Sequence, residues 1–208
     1  MNAVIIACKT IEQELNAAME QTGCGYPVIW LESGLHDVPK KLHETLQSHL
    51  DTIRGYDTVL LAMGFCGNSV TGLHTRDFEL VIPRRDDCIS LLLGDTQRPF
   101  AAMFLTEGWL RGGHHPGREY DLCMEKYGEK RGKRIFSALF QNYKTMILLD
   151  TGCFDRENAE KEIRDIAQKL NLEFGAMPGN LRELKRLVQG DWDEQSFVRV
   201  PPNSTVKG

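Results

Sequence analysis

Residues 58–68 read Thr-Val-Leu-Leu-Ala-Met-Gly-Phe-Cys-Gly-Asn, an apolar run that enters a turn rich in glycine. Such a run shows no alternation of apolar and polar residues, which is typical of a strand buried on both faces. Residues 3–7, 28–31 and 146–149 repeat this pattern, and helical periodicity follows each of them. The sequence therefore predicts an α/β fold with a mostly parallel, Rossmann-like sheet and helices on both faces.

The pattern places elements along almost the whole chain. Strands are predicted over 3–7, 28–31, 58–62, 80–82, 100–105, 146–149 and 172–174. Helices are predicted over 11–22, 38–53, 89–93, 116–143, 156–170 and 181–189, with Asp37 capping the second and Tyr120, Tyr127, Ile135, Leu139 and Tyr143 as core positions of the fourth. No linker-like segment divides the chain, so residues 1–199 are predicted to form a single α/β domain. Residues 200–208 contain Pro, Ser and Asn and are expected to form a flexible tail.

The amino-acid composition limits which partners and which cellular compartment we expect for this chain. The chain has 208 residues with 25 basic and 29 acidic side chains, a net charge of −4 that disfavours nucleic acid as a partner. It contains no apolar run of about 18 residues, so we expect no membrane span. The N-terminus lacks the basic segment of a signal peptide, so a cytoplasmic location with reduced thiols is expected. A homodimer is the base-rate expectation for assembly.

Chemically distinctive residues fall in the loops that follow the predicted strands. Cys8, His36, Cys66, Glu107 and Cys153 occupy such loops, and Cys88 lies just beyond another strand at a predicted helix start. Loops at the carboxyl ends of parallel strands share one edge of the sheet, where ligands bind in open α/β folds. Cys24 and Cys123 lie elsewhere and are interpreted as structural thiols.

Thiols and an imidazole at one edge are the ligands that zinc prefers. The predicted metal ligands are His36, Cys66, Cys88 and Cys153, with Cys8 as a substitute. An iron–sulfur cluster would accept the same cysteines, and ligand softness alone does not separate the two. Two metal-free alternatives stay open: a redox disulfide between Cys66 and Cys88, or an enzyme with one of these cysteines as nucleophile and His36 as base.

Glycines beside these residues predict that backbone approaches another group closely. The residues expected to line the cofactor are Gly64, Gly67, Asn68 and Gly152. Glu107 and either Arg84 or Arg85 are predicted to line the pocket and to orient a small anionic ligand; Glu107 and Arg84 are the predicted catalytic residues. The glycine-rich loops of the two common nucleotide-binding motifs are missing from the sequence, which disfavours those nucleotide-dependent enzymes.

Several segments together resemble the DUF1638 family, a domain of unknown function, over about residues 3–190. The segments are Cys24-Gly-Tyr-Pro-Val-Ile-Trp-Leu-Glu-Ser-Gly-Leu-His36, Gly64-Phe-Cys-Gly-Asn68, Arg85-Asp-Asp-Cys-Ile-Ser-Leu-Leu-Leu-Gly94, Leu105-Thr-Glu-Gly-Trp109 and Leu149-Asp-Thr-Gly-Cys153.

The resemblance implies an association with corrinoid-dependent methyl transfer in bacteria and archaea that use methylated compounds. It implies a small methylated ligand and thiol- or corrinoid-linked methyl transfer at a metal, since zinc activates thiols by stabilising the thiolate. It also implies contact with a corrinoid. A corrinoid protein or a methyltransferase would then be a partner. The competing interpretation is a non-catalytic accessory or binding module of a methyltransferase system, in which the metal has a structural role.

Overall fold

A computed structural model describes residues 2–207, which divide into two compact units. The first unit comprises residues 2–94 and 180–207, and the second comprises residues 95–179. Within the described residues the strands are β1 (Ala3–Cys8), β2 (Val28–Leu31), β3 (Thr58–Ala62), β4 (Glu79–Pro83), β5 (Ala102–Leu105), β6 (Thr145–Asp150), β7 (Glu173–Pro178) and β8 (Phe197–Val200). The α-helices are α1 (Glu12–Thr22), α2 (Pro39–Thr52), α3 (Cys88–Leu93), α4 (Glu107–Gly112), α5 (Pro116–Tyr127), α6 (Glu129–Phe140), α7 (Arg156–Lys169) and α8 (Arg182–Gln189).

The first unit is built on a five-stranded sheet in the order β2-β1-β3-β4-β8. β2, β1, β3 and β4 are parallel, and β8 pairs with β4 in the antiparallel direction. Every residue of β1 and β3 is buried, as their continuous apolar sequences predict. These strands, with the parallel sheet of the second unit, confirm the predicted α/β class.

The strand order of this sheet reverses between β1 and β3. The chain runs from β1 to its neighbour β2 on one side, and then returns to β3 on the other side of β1. In open α/β sheets such a reversal separates the two loops that follow the strands and opens a crevice at their carboxyl ends. In this sheet the reversal lies between the carboxyl ends of β1 and β3.

Helix α2 buries the leucine stripe of its sequence, because Leu42, Leu46 and Leu50 lie at helical spacing on one face. The prediction that Asp37 caps this helix was wrong. Val38 holds the N-cap position, because Pro39 is the first helical residue and restricts the backbone of the residue before it. Asp37 instead belongs to a 3₁₀ turn over Leu35–Asp37.

The second unit has a parallel sheet in the order β5-β6-β7. Its predicted helix over 116–143 is two helices, because Gly128 adopts a φ of +73° between α5 and α6. The prediction of Tyr127, Leu139 and Tyr143 as core residues was wrong, since all three are exposed. Phe136 is the buried aromatic of α6.

Residues 200–206 are bonded to the rest of the first unit, in contrast to the flexible tail expected for residues 200–208, of which Gly208 lies outside the described residues. Val200 already belongs to β8. The backbone N–H of Val206 donates to the carbonyl of Leu73 at 2.9 Å, and the N–H of Gly72 donates to the carbonyl of Val206 at 2.9 Å. Separately, no helix in the described part of the chain has the length and apolar character needed to cross a bilayer.

Candidate functional site

Three cysteines lie at the carboxyl edge of the first sheet. Cys8 ends β1, Cys66 lies four residues after the end of β3, and Cys88 begins α3 just after β4. These strands are neighbours in the order β1-β3-β4, so their loops converge. The three sulfur atoms are close enough to influence one another electrostatically. We refer to Cys8, Cys66 and Cys88 as the thiol cluster.

The turn that carries Cys66 is held in an uncommon backbone conformation. Cys66 has a φ of +44° and Asn68 a φ of +66°, in the left-handed region that favours glycine. Two short backbone hydrogen bonds fix this turn: the N–H of Phe65 donates to the carbonyl of Arg85, and that of Cys66 to the carbonyl of Asp86, both at 2.7 Å. A non-glycine residue in this region costs free energy and persists where its surroundings hold it, often at functional sites.

Gly64 allows the Cys66 turn to approach the segment after β4. A Cβ atom at Gly64 would lie 2.5 Å from the backbone nitrogen of Asp87 and 2.7 Å from the carbonyl oxygen of Arg85. The close approach expected at this glycine is therefore to the protein's own backbone. Gly67, on the other side of Cys66, faces the Pro39 ring at the start of α2, 3.3 Å from where its Cβ would be.

Asp87 places Cys88 at the first position of α3. Its carboxylate accepts a hydrogen bond from the backbone N–H of Ser90 at 2.8 Å, the standard N-cap contact. Cys88 is buried, and its thiol and that of Cys66 are hydrogen-bonded to each other. The capped helix start and the bonded turn thus bring the two thiols together.

The two bonded thiols differ in acidity. The hydrogen bond from Cys88 lowers the pKa of Cys66, although burial and the Asp87 carboxylate act against it. The same hydrogen bond, together with burial, raises the pKa of Cys88 well above its ordinary value. Cys66 is therefore the thiol of this pair that ionises first, and Cys88 stays protonated as the donor.

Cys8, the third thiol, contacts a polar side chain of the loop that follows β1. Burial raises the pKa of Cys8, and its sulfur lies 3.0 Å from the hydroxyl oxygen of Thr10. The Thr10 hydroxyl in turn donates to the Ser33 hydroxyl at 3.4 Å. Cys8, Thr10 and Ser33 therefore form a chain of hydrogen-bonding contacts between the loops that follow β1 and β2.

His36 and the two candidate arginines make contacts with other parts of the first unit. His36 is half-buried, and its Nε2 lies 3.4 Å from the carboxylate of Asp37. Arg84 is exposed and donates from Nε to the carbonyl of Glu194 at 2.9 Å, so it supports the segment before β8. Arg85 is the more buried arginine, and its Nη2 lies 2.8 Å from Oε1 of Glu183.

Glu107, Gly152 and Cys153 belong to the second unit. Glu107 lies in the first turn of α4, with Oε2 at 3.4 Å from Nε of Arg111. Gly152, in the turn after β6, donates its N–H to the side chain of Asp150 at 3.0 Å. The Cys153 sulfur lies 3.5 Å from the carbonyl oxygen of Thr151.

The metal site expected from the sequence has no support in the geometry. Among residues 2–207, no group of three or more His, Cys, Asp and Glu side chains is arranged to hold a metal ion. The six cysteines all lie in this range, and none forms a disulfide. Zinc and an iron–sulfur cluster on His36, Cys66, Cys88, Cys153 and Cys8 stay predictions.

Three residues near the thiol cluster were missed by the sequence interpretation: Thr10, Ser33 and Glu183. Thr10 and Ser33 follow the same strands as Cys8 and His36, so their place in the chain was a usable signal. Glu183 shares the apolar face of α8 with Leu184 and Leu187, and all three are buried. A charge on the apolar face of a short helix is a signal for a buried ion pair.

The fold and the thiol cluster define an α/β protein with a candidate cysteine centre beside the reversal in its strand order. The chain belongs to the DUF1638 family, described as a protein of unknown function, whose family model matches residues 30–188. This match confirms the family resemblance but supplies no activity. No curated protein and no solved structure matches the chain.

Proposed function

We propose that the protein is a cysteine-nucleophile enzyme in which Cys66 attacks a small electrophilic substrate. The observation that carries this proposal is the hydrogen bond from the buried Cys88 thiol to the sulfur of Cys66, on a turn with positive φ. The thiolate, not the thiol, is the nucleophile, so a donor that stabilises the thiolate increases the reactive fraction. Cys88 activates Cys66 in this proposal, a role that the metal-free alternative gave to His36 as a base.

Access and position favour Cys66 over the other two thiols of the cluster. Cys66 is partly exposed, whereas Cys8 and Cys88 are each 7% exposed. Cys66 follows β3, on one side of the crevice that the strand reversal opens, and Cys8 with Thr10 lies on the other side. A substrate bound there would meet the Cys66 sulfur.

The methylated ligand implied by the family resemblance is one electrophile of the required kind. The Cys66 thiolate would attack its methyl carbon, an S–CH₃ bond would form, and the leaving group would keep the electron pair of the broken bond. This step needs a thiolate and a shielded pocket and uses no oxidant. The contact with a corrinoid protein or methyltransferase belongs to this version of the proposal.

The test is selective alkylation of the purified protein with iodoacetamide at neutral pH. Peptide mass spectrometry would give the modification rate at each of the six cysteines. We expect Cys66 to react first, and we expect Cys88→Ala to slow its reaction because the thiolate loses its hydrogen-bond donor. Cys123→Ala is the matched control, because Cys123 lies on α5 in the second unit.

Two outcomes would contradict the proposal. Cys66 reacting no faster than Cys24 and Cys123 would show that its thiol is not activated. Reaction at Cys66 that begins only after a chelator is added would show that a metal holds the thiolate, which favours the metal-site hypothesis. Elemental analysis of the same sample, prepared without oxygen and without a metal-affinity tag, would then separate zinc from an iron–sulfur cluster.

A further inference from the structure

We propose that the buried ion pair of Arg85 and Glu183 positions the Cys66 sulfur against Cys88. This inference rests on the proposed function, because it assigns the origin of the geometry that makes Cys66 reactive. The Arg85 side chain is 19% exposed, and that of Glu183 is fully buried. Arg85 is thus a positioning residue that acts through its own backbone.

Glu183 holds its place because α8 is packed into the first unit. Leu184 and Leu187 of the same helix are fully buried, and α8 contacts α1, α3, β3 and β4. Oε1 of Glu183 lies 2.8 Å from Nη2 of Arg85 and 3.5 Å from Arg182. Within the described residues, Oε2 has no hydrogen-bond partner. The stability of a buried carboxylate with one unbonded oxygen depends strongly on its arginine partner.

The guanidinium of Arg85 has a second attachment. Nη1 donates to the carbonyl oxygen of Gly94 at 2.9 Å, just beyond the last residue of α3. One planar side chain therefore joins α8 to the end of α3. Lysine, with a single nitrogen, could not reproduce this fork geometry.

The backbone of the same segment supports the Cys66 turn. The carbonyl of Arg85 accepts from the N–H of Phe65, and the carbonyl of Asp86 accepts from the N–H of Cys66, both at 2.7 Å. The next residue, Asp87, caps the helix that begins with Cys88. The segment 85–87 therefore holds both the turn that carries Cys66 and the start of the helix that carries Cys88. The ion pair fixes that segment.

The test compares Glu183→Gln with Glu79→Gln. Glu79 makes a two-bond ion pair with Arg199 between β4 and β8, remote from the Cys66 turn, so Glu79→Gln is the matched control. We expect Glu183→Gln to slow the alkylation of Cys66 at neutral pH by up to about tenfold, because the Cys66 turn moves away from Cys88. Glu79→Gln should leave the alkylation rate unchanged.

A second readout separates this inference from the proposed function. Amide hydrogen exchange at Phe65 and Cys66 reports the two backbone hydrogen bonds whether or not Cys66 is a nucleophile. We expect faster exchange at these two amides in Glu183→Gln, with the amides of β3 unchanged. If Glu183→Gln fails to fold, Arg85→Lys is measured in its place. This variant keeps the charge but loses the fork geometry, so we expect a small increase in exchange at the same two amides.

The results distinguish the possible failures. Unchanged exchange at Phe65 and Cys66 in the folded variants would overturn the positioning inference, even with Cys66 reactive in the wild type. Faster exchange with an unreactive wild-type Cys66 would support positioning of the turn and contradict the proposed function. A lower melting temperature with both site readouts unchanged would assign the ion pair a structural role and overturn the inference.

Discussion

Replacing Gly64 with alanine tests whether close backbone contact holds the Cys66 turn. The added Cβ would lie 2.5 Å from the nitrogen and 2.6 Å from the Cα of Asp87. Both are backbone atoms, so no side chain can rotate away. Restoring an ordinary contact of 3.4 Å requires a shift of about 0.9 Å. A shift of that size in the segment 85–87 would stretch its 2.7 Å hydrogen bonds with Phe65 and Cys66 to about 3.6 Å, beyond hydrogen-bonding range.

The expected loss of stability has two contributions. Two broken backbone hydrogen bonds cost about 1 kcal/mol each, and strain from an added methyl group contributes about 1–3 kcal/mol. We therefore expect Gly64→Ala to lower the free energy of unfolding by about 3–5 kcal/mol. For a chain of this length, that corresponds to a melting temperature lower by about 6–20 °C. Alkylation of Cys66 should slow at the same time, because the turn separates from Cys88.

The assay is thermal and urea unfolding, combined with alkylation of Cys66 at neutral pH. Gly25→Ala is the matched control, because a Cβ at Gly25 would meet nothing within 4 Å. The control should change the unfolding free energy by no more than about 0.5 kcal/mol. Equal stability of the two variants, or unchanged alkylation in Gly64→Ala, would refute the reasoning.

Three other substitutions or titrations test separate parts of the account. Asp87→Asn keeps a capping side chain and removes a negative charge near Cys66, so alkylation of Cys66 at neutral pH should become faster; a slower reaction would contradict the electrostatic assignment. Leu46→Ala should lower the unfolding free energy by about 2–5 kcal/mol, whereas Leu139→Ala on the exposed face of α6 should change it by about 0.5 kcal/mol or less, both measured by urea unfolding. The pKa of Asp193 is lowered to about 2 by an arginine of α8, so its stabilising effect is complete above about pH 4 and is lost as the pH falls through about 2. An NMR titration of Asp193 with a midpoint near 4 would contradict this.

The elements of the first unit other than β8 could be predicted because their signals are local. β2 and β3 have the predicted bounds, and β1 extends one residue beyond its prediction. A continuous apolar run bounded by polar turns is enough to predict a buried strand. The stop of α1 at Gly23 and of α3 at Gly94 also follows from single residues.

The division into two sheets could not be predicted, because it depends on which strands pair across long sequence distances. β4 is followed in its sheet by β8, more than 100 residues later, whereas β5, β6 and β7 form their own sheet. Nothing local in residues 197–200 shows which strand they join. The break at Gly128 was visible as a glycine, but glycine inside a helical pattern is a weak signal on its own.

The candidate site could be predicted only in part. Cys8, Cys66 and Cys88 follow adjacent parallel strands, so their convergence depends only on strand order. The hydrogen bond between two of them depends on the positive φ of Cys66 and on the close approach at Gly64, which need the folded chain. The pairing of Arg85 with Glu183 joins residues 98 positions apart, so the charge on the apolar face of α8 indicates an ion pair but does not identify its partner.

The pH dependence of Cys66 alkylation, in the wild type and in Cys88→Ala, tests the central claim most directly. An ordinary thiol has a pKa of about 8.5. The account predicts a wild-type midpoint below that value and a higher midpoint in Cys88→Ala, because the thiolate loses the hydrogen bond from Cys88. A wild-type midpoint at or above about 8.5, or one that Cys88→Ala leaves unchanged, would contradict it.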